Sequence, residues 1–212
     1  MTMFLTILAG VPTTVLITVA ALGIGMLGGI PFVLGRRSRF RSIRIVSRLL
    51  IEVLRGIPPL IWLFLIFFGF GASMTWMSAL MASVFGLGLI SCAYMAEIYR
   101  GGLSAISAGQ WEAAEALGMS HRSVLAKVIG PQVFRVSIPA AATYGIGLLK
   151  DSSVVFTIGV TDIMFRANNQ SHQTSDALTP FLIAGFVYII ITIPCAWGSR
   201  SLDANLKKRV AR

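Results

Sequence analysis

Charged side chains are scarce in this chain, and their scarcity determines the class of protein. Lys and Arg number 18 and Asp and Glu only 8 among 212 residues, whereas 56% of the residues are hydrophobic. A soluble domain of this length needs far more polar surface to cover its core. The apolar residues occur in runs that can cross a bilayer, which takes about 20 residues per helix. The sequence therefore predicts an all-α integral membrane protein.

Cysteine and histidine are also rare, with two of each. Cys92 and Cys195 lie inside apolar runs, far from both histidines, so we predict neither a disulfide nor a metal site. The chain lacks the glycine–lysine loop that cradles phosphates, and we predict no catalytic residue and no cofactor in it. The net charge of +10 does not indicate nucleic-acid binding, because the basic residues sit at the ends of apolar runs, as topology signals do.

Apolar segments predict about five membrane-spanning helices within one domain, residues 1–212. The uncharged run 57–96 would make a helix of roughly 60 Å, twice the ~30 Å hydrocarbon core, so we divide it into two spans. Its turn is marked by Gly69, Gly71, Ser73 and Thr75. The arginine-rich stretch before it has helical amphipathicity and predicts an interfacial helix. The predicted spans are 11–34, 57–72, 77–97, 136–160 and 177–197.

Basic residues predict the orientation, because loops rich in Lys and Arg stay in the cytoplasm. Of the 18 basic residues, 16 lie on one side, in the stretches 36–55 and 100–135 and after the last span. The N-terminus is then predicted outside and the C-terminus in the cytoplasm. The loop 98–135 becomes cytoplasmic, and the polar residues 168–174 form an external loop.

A polar segment within the cytoplasmic loop has the pattern of a short helix, with alanines on one side and carboxylates on the other. Gly118 is the predicted end of this helix. Ser120 caps a second short helix through Val128, which Pro131 stops before the fourth span. Two short helices that meet at a glycine form a protrusion suited to the groove of a soluble partner. An ordinary interfacial helix is the alternative.

The residues Glu112-Ala113-Ala114, Gly118 and Pro131 resemble the "EAA" loop of ABC-type importer permeases. The usual Ile-x-Leu-Pro ending is here Val128-Ile129-Gly130-Pro131. Three more segments, in the right order, are similar to the polar amino acid uptake family, which includes histidine, glutamine and glutamate permeases. These segments are Leu54–Leu60, Ala93–Gly102 and Leu149–Val154, and the resemblance covers nearly the whole chain.

The resemblance implies a type I ABC importer permease fold in the bacterial inner membrane. It implies a second permease copy or paralogue, two cytoplasmic ATPases that bind and hydrolyse ATP, an external solute-binding protein and a polar amino acid as substrate. The residues implied in ATPase coupling are Glu112, Ala113, Ala114, Gly118 and Pro131.

Lys150 and Asp151 interrupt the fourth predicted span. Charges at mid-membrane cost roughly 2.5 to 3.5 kcal/mol each and usually line a water-filled path or pair with one another. Adjacent residues lie about 100° apart around a helix, so the two side chains cannot both face one narrow path. In one interpretation Asp151 lines the translocation path and holds a substrate ammonium group; in the other the charges stabilise a dimer interface. The candidate substrate-path residues are Asp151, Lys150, Ser152, Ser153 and Tyr144.

Other functions remain as alternatives. The same sequence features are compatible with an importer of another small polar solute, such as an opine, an ectoine-like compound or cystine. A carrier or channel acting alone is less favoured, because carriers show paired repeats or interrupted helices in two halves. The mixed-sign pair at 150–151 is compatible with acidic, basic and neutral amino acids. The sequence is also compatible with either a homodimer or a heterodimer of permeases.

Overall fold

Helices account for most of the residues that the structure describes. The computed structural model describes residues 2–71 and 77–210, and no β-strand occurs within them, which confirms the predicted all-α class. Three non-α segments continue these helices: π-helical Leu65–Phe70 and Val124–Ile129, and 3-10 helical Ser152–Ile158. The α-helices are α1 (Thr2–Leu8), α2 (Val11–Arg36), α3 (Arg41–Gly56), α4 (Pro59–Phe64), α5 (Ala79–Ser104), α6 (Ala108–Ala116), α7 (His121–Ser123), α8 (Gly130–Asp151), α9 (Ile163–Thr174) and α10 (Thr179–Val210).

The centre of the fold is the pair α2 and α5, which approach closely through small residues. Gly25 faces Ser91, and a β-carbon on Gly29 would lie 2.8 Å from the β-carbon of Met95. Small residues allow this approach between helices in a membrane. The contacts advance in the same direction along both helices, so α2 and α5 run parallel. The chain between them must therefore return across the membrane once.

Within that return the chain forms α3 and α4, which meet at a bend of 102°. The predicted span 57–72 is helical only over 59–70 in the described part, roughly 18 Å at 1.5 Å per residue. Helix α3 is nearly perpendicular to α4 and carries four arginines, as the predicted interfacial helix does. Of the predicted turn residues, Ser73 and Thr75 lie outside the described residues.

The remaining spans agree broadly with the prediction. Three helical stretches, Thr2–Arg36, Ala79–Ser104 and Thr179–Ser201, are long and apolar enough to cross a membrane, and the bent pair is a fourth. Helix α8 has 22 residues, about 33 Å at 1.5 Å per residue, which is long enough for a fifth crossing although its composition is less apolar. The predicted loop 98–135 is shorter in the structure, because α5 continues to Ser104 and α8 begins at Gly130.

The end of α6 follows the prediction. Gly118 has φ of +70°, the left-handed conformation that glycine adopts without steric cost. The N–H of Gly118 donates to the Glu115 carbonyl at 2.9 Å, and that of Met119 donates to the Ala114 carbonyl at 3.2 Å. These two bonds form a Schellman motif. Ser120 then caps the next helix, accepting the N–H of Ser123 at 3.4 Å.

The prediction that Pro131 stops this second helix is wrong. The chain stays helical from α7 through the π-helical segment Val124–Ile129 into α8. Pro131 is the second residue of α8, and it therefore lies inside this continuous helix, directly after the π-helical segment. The wider π-turn before it shifts the backbone hydrogen bonds by one residue. The helix therefore does not have to end there.

The predicted external loop at 168–174 is also wrong, because these residues belong to α9. Asp162 caps that helix, its Oδ1 accepting the N–H of Phe165 at 2.7 Å. Ile163 and Ala167, one helical turn apart, are buried in a cluster with Ile7 and with Ala184 and Val187 near the start of α10. The predominantly polar composition of α9 concealed this two-residue apolar face.

The Asp162 carboxyl is fully buried, outside the membrane-spanning helices. Burial raises the pKa of Asp162 from 3.8 to about 6, because the charged form loses its hydration. Its Oδ2 and the hydroxyl of Tyr188 have no hydrogen-bond partner among the described residues. This carboxyl is therefore placed to change its charge near neutral pH.

Candidate functional site

A cavity of about 210 Å³ opens where the α3–α4 bend meets α5 and α8. It is smaller than the ~300–1,000 Å³ typical of drug-sized ligands and suits a smaller solute. Three separate parts of the chain build it, so it exists only in the folded protein. Its lining residues are Leu54, Arg55, Gly56, Ile57, Pro58, Pro59, Leu87, Ile90, Tyr94, Tyr144, Leu148 and Asp151.

Two tyrosines form an aromatic wall of this cavity. The rings of Tyr94 on α5 and Tyr144 on α8 stack with their centroids 4.8 Å apart and an interplanar angle of 20°. The hydroxyl of Tyr144 is 2.9 Å from the hydroxyl of the buried Ser91, within hydrogen-bond distance. Stacking and hydrogen bond together fix α8 against α5 at this level.

Arg55 and Asp151 bring opposite charges to the same cavity. The Arg55 guanidinium lies 5.0 Å from the centroid of the Tyr94 ring, a cation–π distance. Among the described residues, the ion pairs within 4.0 Å are those of Glu97 with Arg36 and Arg100, so Arg55 and Asp151 do not neutralise each other. The cavity thus offers a cation and an anion to a solute that carries both signs.

The structure separates the predicted substrate-path residues. Asp151 and Tyr144, seven residues apart on α8, line the cavity. Lys150 and Ser153 line a different depression, of about 280 Å³, against α9 and α10. Ser152 is fully buried and donates to the Leu149 carbonyl at 2.8 Å. Of the five residues, only Asp151 and Tyr144 are therefore in position to meet a solute in the cavity.

Arg55 is not among the predicted site residues, because it ends a series of basic residues that have the pattern of topology signals. A signal was nevertheless present in the sequence. Arg55 is followed by Gly56 and by two consecutive prolines, which break a helix. A charged residue beside a helix break inside a membrane-spanning region is a candidate for ligand binding.

The surface of α6 is the second candidate site. Glu112, Ala113 and Gly118 are exposed, and Leu117 is 81% exposed. Ala114 differs, since it is only 4% exposed and packs into the core cluster beneath α6. Helix α6 therefore presents to the outside a face of small residues and carboxylates. Its opposite face packs against the rest of the protein. Pro131 is also exposed, at the start of α8.

Comparison with known proteins identifies the family. Residues 21–208 match the model of the binding-protein-dependent transport system inner membrane component. The chain belongs to this family. It is therefore a membrane component of a transport system that depends on a binding protein, and the members of its family are permease components rather than enzymes.

Individual relatives agree with this assignment. The permease is 33% identical to the arginine transport system permease protein ArtQ of Bacillus subtilis, over 95% of this chain and 92% of that protein. It is 33% identical to the glutamate/aspartate import permease protein GltK of Escherichia coli O6:H1, over 97% and 93%. A crystal structure of an amino acid ABC transporter with histidines matches with a TM-score of 0.84 and 33% identity, covering 96% of this chain and 94% of that one. The type I importer fold is thus confirmed.

In this permease, α6 is fixed to the helix that carries the cavity residues. The Gln132 side chain of α8 donates to the Gln110 side chain at 3.0 Å. Trp111 of α6 stacks near His121 with centroids 6.2 Å apart, and the Arg37 guanidinium lies 5.5 Å from the Trp111 ring centroid. From His121 to Asp151 the backbone is continuously helical. A displacement of α6 is therefore connected through a stiff element to Tyr144 and Asp151.

Proposed function

We propose that this permease forms the translocation path of an ATP-driven importer of polar amino acids. The cavity that holds both Asp151 and Arg55 carries this proposal. An amino acid has an ammonium and a carboxylate group, for which a carboxylate and a guanidinium are the complementary partners. Asp151 would bind the ammonium group and Arg55 the carboxylate, with the Tyr94–Tyr144 stack against the remainder of the solute.

The relatives support recognition of the amino acid backbone at this cavity. One relative is named for arginine transport and another for import of glutamate and aspartate, whose side chains carry opposite charges. A site common to such permeases must recognise what these substrates share, which is the α-ammonium and α-carboxylate pair. Selection among side chains would then depend largely on the external solute-binding protein.

The α6 surface is the proposed contact for two cytoplasmic ATPases, in a complex with a second permease copy or paralogue. Glu112 would make polar contacts in an ATPase groove, and Ala113 and Gly118 would permit close approach. Ala114 would act from inside, by anchoring α6. Pro131 would start the helix that transmits the movement. This arrangement requires the N-terminus outside and the C-terminus in the cytoplasm, as the distribution of basic residues predicts.

Uptake measurements test the substrate proposal. The complete complex is reconstituted in vesicles with its binding protein, and uptake of labelled amino acids is competed with a panel of other amino acids, cystine, an opine and ectoine. Asp151→Asn removes one charge-assisted contact, worth about 1.5–3 kcal/mol, so we expect an apparent affinity about 10–150-fold weaker. Lys150→Gln is the matched control, because Lys150 lies outside the cavity.

Two results would contradict the assignment. Equal losses of uptake in Asp151→Asn and Lys150→Gln, with the complex intact, would indicate a charge pair with a structural role. Absence of uptake of every labelled amino acid by the intact complex would exclude an amino acid as substrate.

Cysteine labelling tests the orientation. In a background with Cys92 and Cys195 replaced by alanine, Ala113→Cys and Gln173→Cys place single thiols on exposed positions of α6 and α9. A membrane-impermeant maleimide added to intact cells should label Gln173→Cys and leave Ala113→Cys unlabelled until the membrane is opened. The reverse pattern would invert the topology and remove α6 from the ATPases.

A further inference from the structure

A large groove lies beside the α6 protrusion, away from the amino acid cavity. We call it the basic groove; its volume is about 770 Å³ and it is bounded by α2, α5 and the helix that runs from α7 into α8. Its floor is apolar, formed by Ile30, Val33 and Leu34 of α2, Leu103 of α5 and Phe134 of α8. Arg37, His121 and Arg122 line its other part.

The basic residues of this groove are available to a ligand. Arg37 and Arg122 are exposed; the Arg37 guanidinium lies 5.5 Å from the Trp111 ring centroid, and neither arginine has a carboxylate within 4.0 Å among the described residues. The neighbouring Arg36 is different, because Glu97 neutralises it. No acidic residue is among those that line the described groove. The groove therefore combines an apolar floor with an uncompensated positive rim.

The apolar floor is continuous with the outer face of α2. Leu16, Val19, Leu27, Ile30 and Leu34 follow one another at helical spacing along α2 and are exposed, Leu27 by 74%. This stripe has the composition of a surface that contacts acyl chains. The stripe enters the groove at Ile30 and Leu34, and Arg37 of the positive rim follows three residues after Leu34.

We propose that the basic groove binds an anionic phospholipid of the cytoplasmic leaflet. The phosphodiester and its headgroup would contact Arg37 and Arg122, since guanidinium groups bind phosphate oxygens through paired hydrogen bonds. An acyl chain would lie along Ile30, Leu34 and Phe134. Basic pockets between membrane helices on the cytoplasmic side bind the headgroups of anionic lipids. The placement in that leaflet depends on the orientation proposed above, whereas the binding itself does not.

The bound lipid would also touch the element that transmits movement from α6. His121, Arg122 and Leu125 of the groove belong to the helical connection between α6 and α8. An occupied groove would therefore hold this connection in place, and anionic lipid should affect how well ATP hydrolysis is coupled to uptake.

Lipid titration of the complete complex tests the proposal. The purified, delipidated permease–ATPase complex in detergent is titrated with dioleoyl phosphatidylglycerol or dioleoyl phosphatidylcholine, and bound lipid is counted by native mass spectrometry. We expect phosphatidylglycerol to bind preferentially. The double substitution Arg37→Gln/Arg122→Gln should weaken its binding about 30-fold, which corresponds to about 2 kcal/mol for the two arginines together at 1.4 kcal/mol per tenfold change.

Two comparison variants separate the groove from general electrostatics. Arg39→Gln/Arg135→Gln removes the same charge from exposed arginines that do not line the groove, and it should bind phosphatidylglycerol as the unmodified complex does. Ala126→Trp keeps the charges but fills the groove, and it should also lose binding.

Three outcomes would overturn the proposal. Equal binding of the two lipids would show that the rim does not select an anion. An equal loss in both arginine pairs would show diffuse attraction. Absence of phosphatidylglycerol binding to the complete complex would show that the groove takes no lipid in the assembly.

Discussion

Replacing Gly130 with alanine tests whether the π-turn transmits movement between α6 and the cavity. Gly130 follows the π-helical segment Val124–Ile129 directly and begins α8. A β-carbon at this position would lie 2.5 Å from the carbonyl oxygen of Leu125, whereas ordinary contact begins at 3.4 Å. The neighbour is backbone and cannot rotate away, so the substitution must change the turn itself. The importer loop that these residues resemble has leucine at the position of Gly130. The π-turn explains why glycine replaces it in this chain.

The size of the change follows from helix geometry. The α-turn has one residue fewer than the π-turn, so conversion to an α-turn shifts the register between α7 and α8 by one residue. One residue corresponds to about 100° of rotation and about 1.5 Å of rise. Rotation of this size would move Tyr144 and Asp151 out of the cavity or would break the contact between Gln110 and Gln132. Overpacking of this kind costs about 1–3 kcal/mol, which a folded helix can tolerate.

Uptake and ATP hydrolysis should be measured in the same proteoliposomes, with the binding protein present. We expect Gly130→Ala to keep basal ATP hydrolysis while uptake per ATP falls about tenfold or more, because the ATPases turn over without moving the cavity residues in step. Gly101→Ala is the control, since it is a glycine within helix α5 with no atom within 4 Å of the new β-carbon. If Gly130→Ala matches this control in both measurements, the π-turn has no part in coupling.

Three further predictions concern stability. Gly29→Leu should separate α2 from α5 and prevent recovery of a monodisperse complex on size exclusion, and normal recovery would contradict the close packing. Glu97→Gln leaves its two arginine partners unneutralised, which should lower the free energy of unfolding by about 1–3 kcal/mol, and by less at high salt. Chemical denaturation measures this change, and an unchanged midpoint would show that the network is not stabilising. The pKa of Asp162 is raised to about 6 by burial, so its contribution to stability is present below about pH 4 and is lost as the pH rises through 6, by about 3 kcal/mol. Asp162→Asn should remove this pH dependence of thermal unfolding, and a profile like that of the unmodified protein would contradict it.

Local patterns predicted much of this molecule correctly. Gly118 was predicted to end α6 and Ser120 to cap the next helix. The structure has the backbone hydrogen bonds expected at Gly118 and the side-chain hydrogen bond expected at Ser120. The errors arose where neighbouring structure overrode a local signal. Pro131 is a helix breaker in isolation, but the preceding π-turn accommodates it. The polar residues of α9 suggest a loop, but an aspartate cap and two buried apolar side chains make a helix.

The sequence by itself determined the class of protein and the approximate spans, because hydropathy and charge at the ends of apolar runs depend only on residues close together in the chain. The family was indicated by the resemblance of four short segments. Only the tertiary structure decided which charges share a cavity. Arg55, Tyr94 and Asp151 come from three different segments, and the 102° bend and the stacking of two tyrosines bring them together. Adjacent residues such as Lys150 and Asp151 were separated for the same physical reason, since a helix points successive side chains in directions about 100° apart and packing then assigns each one its surroundings.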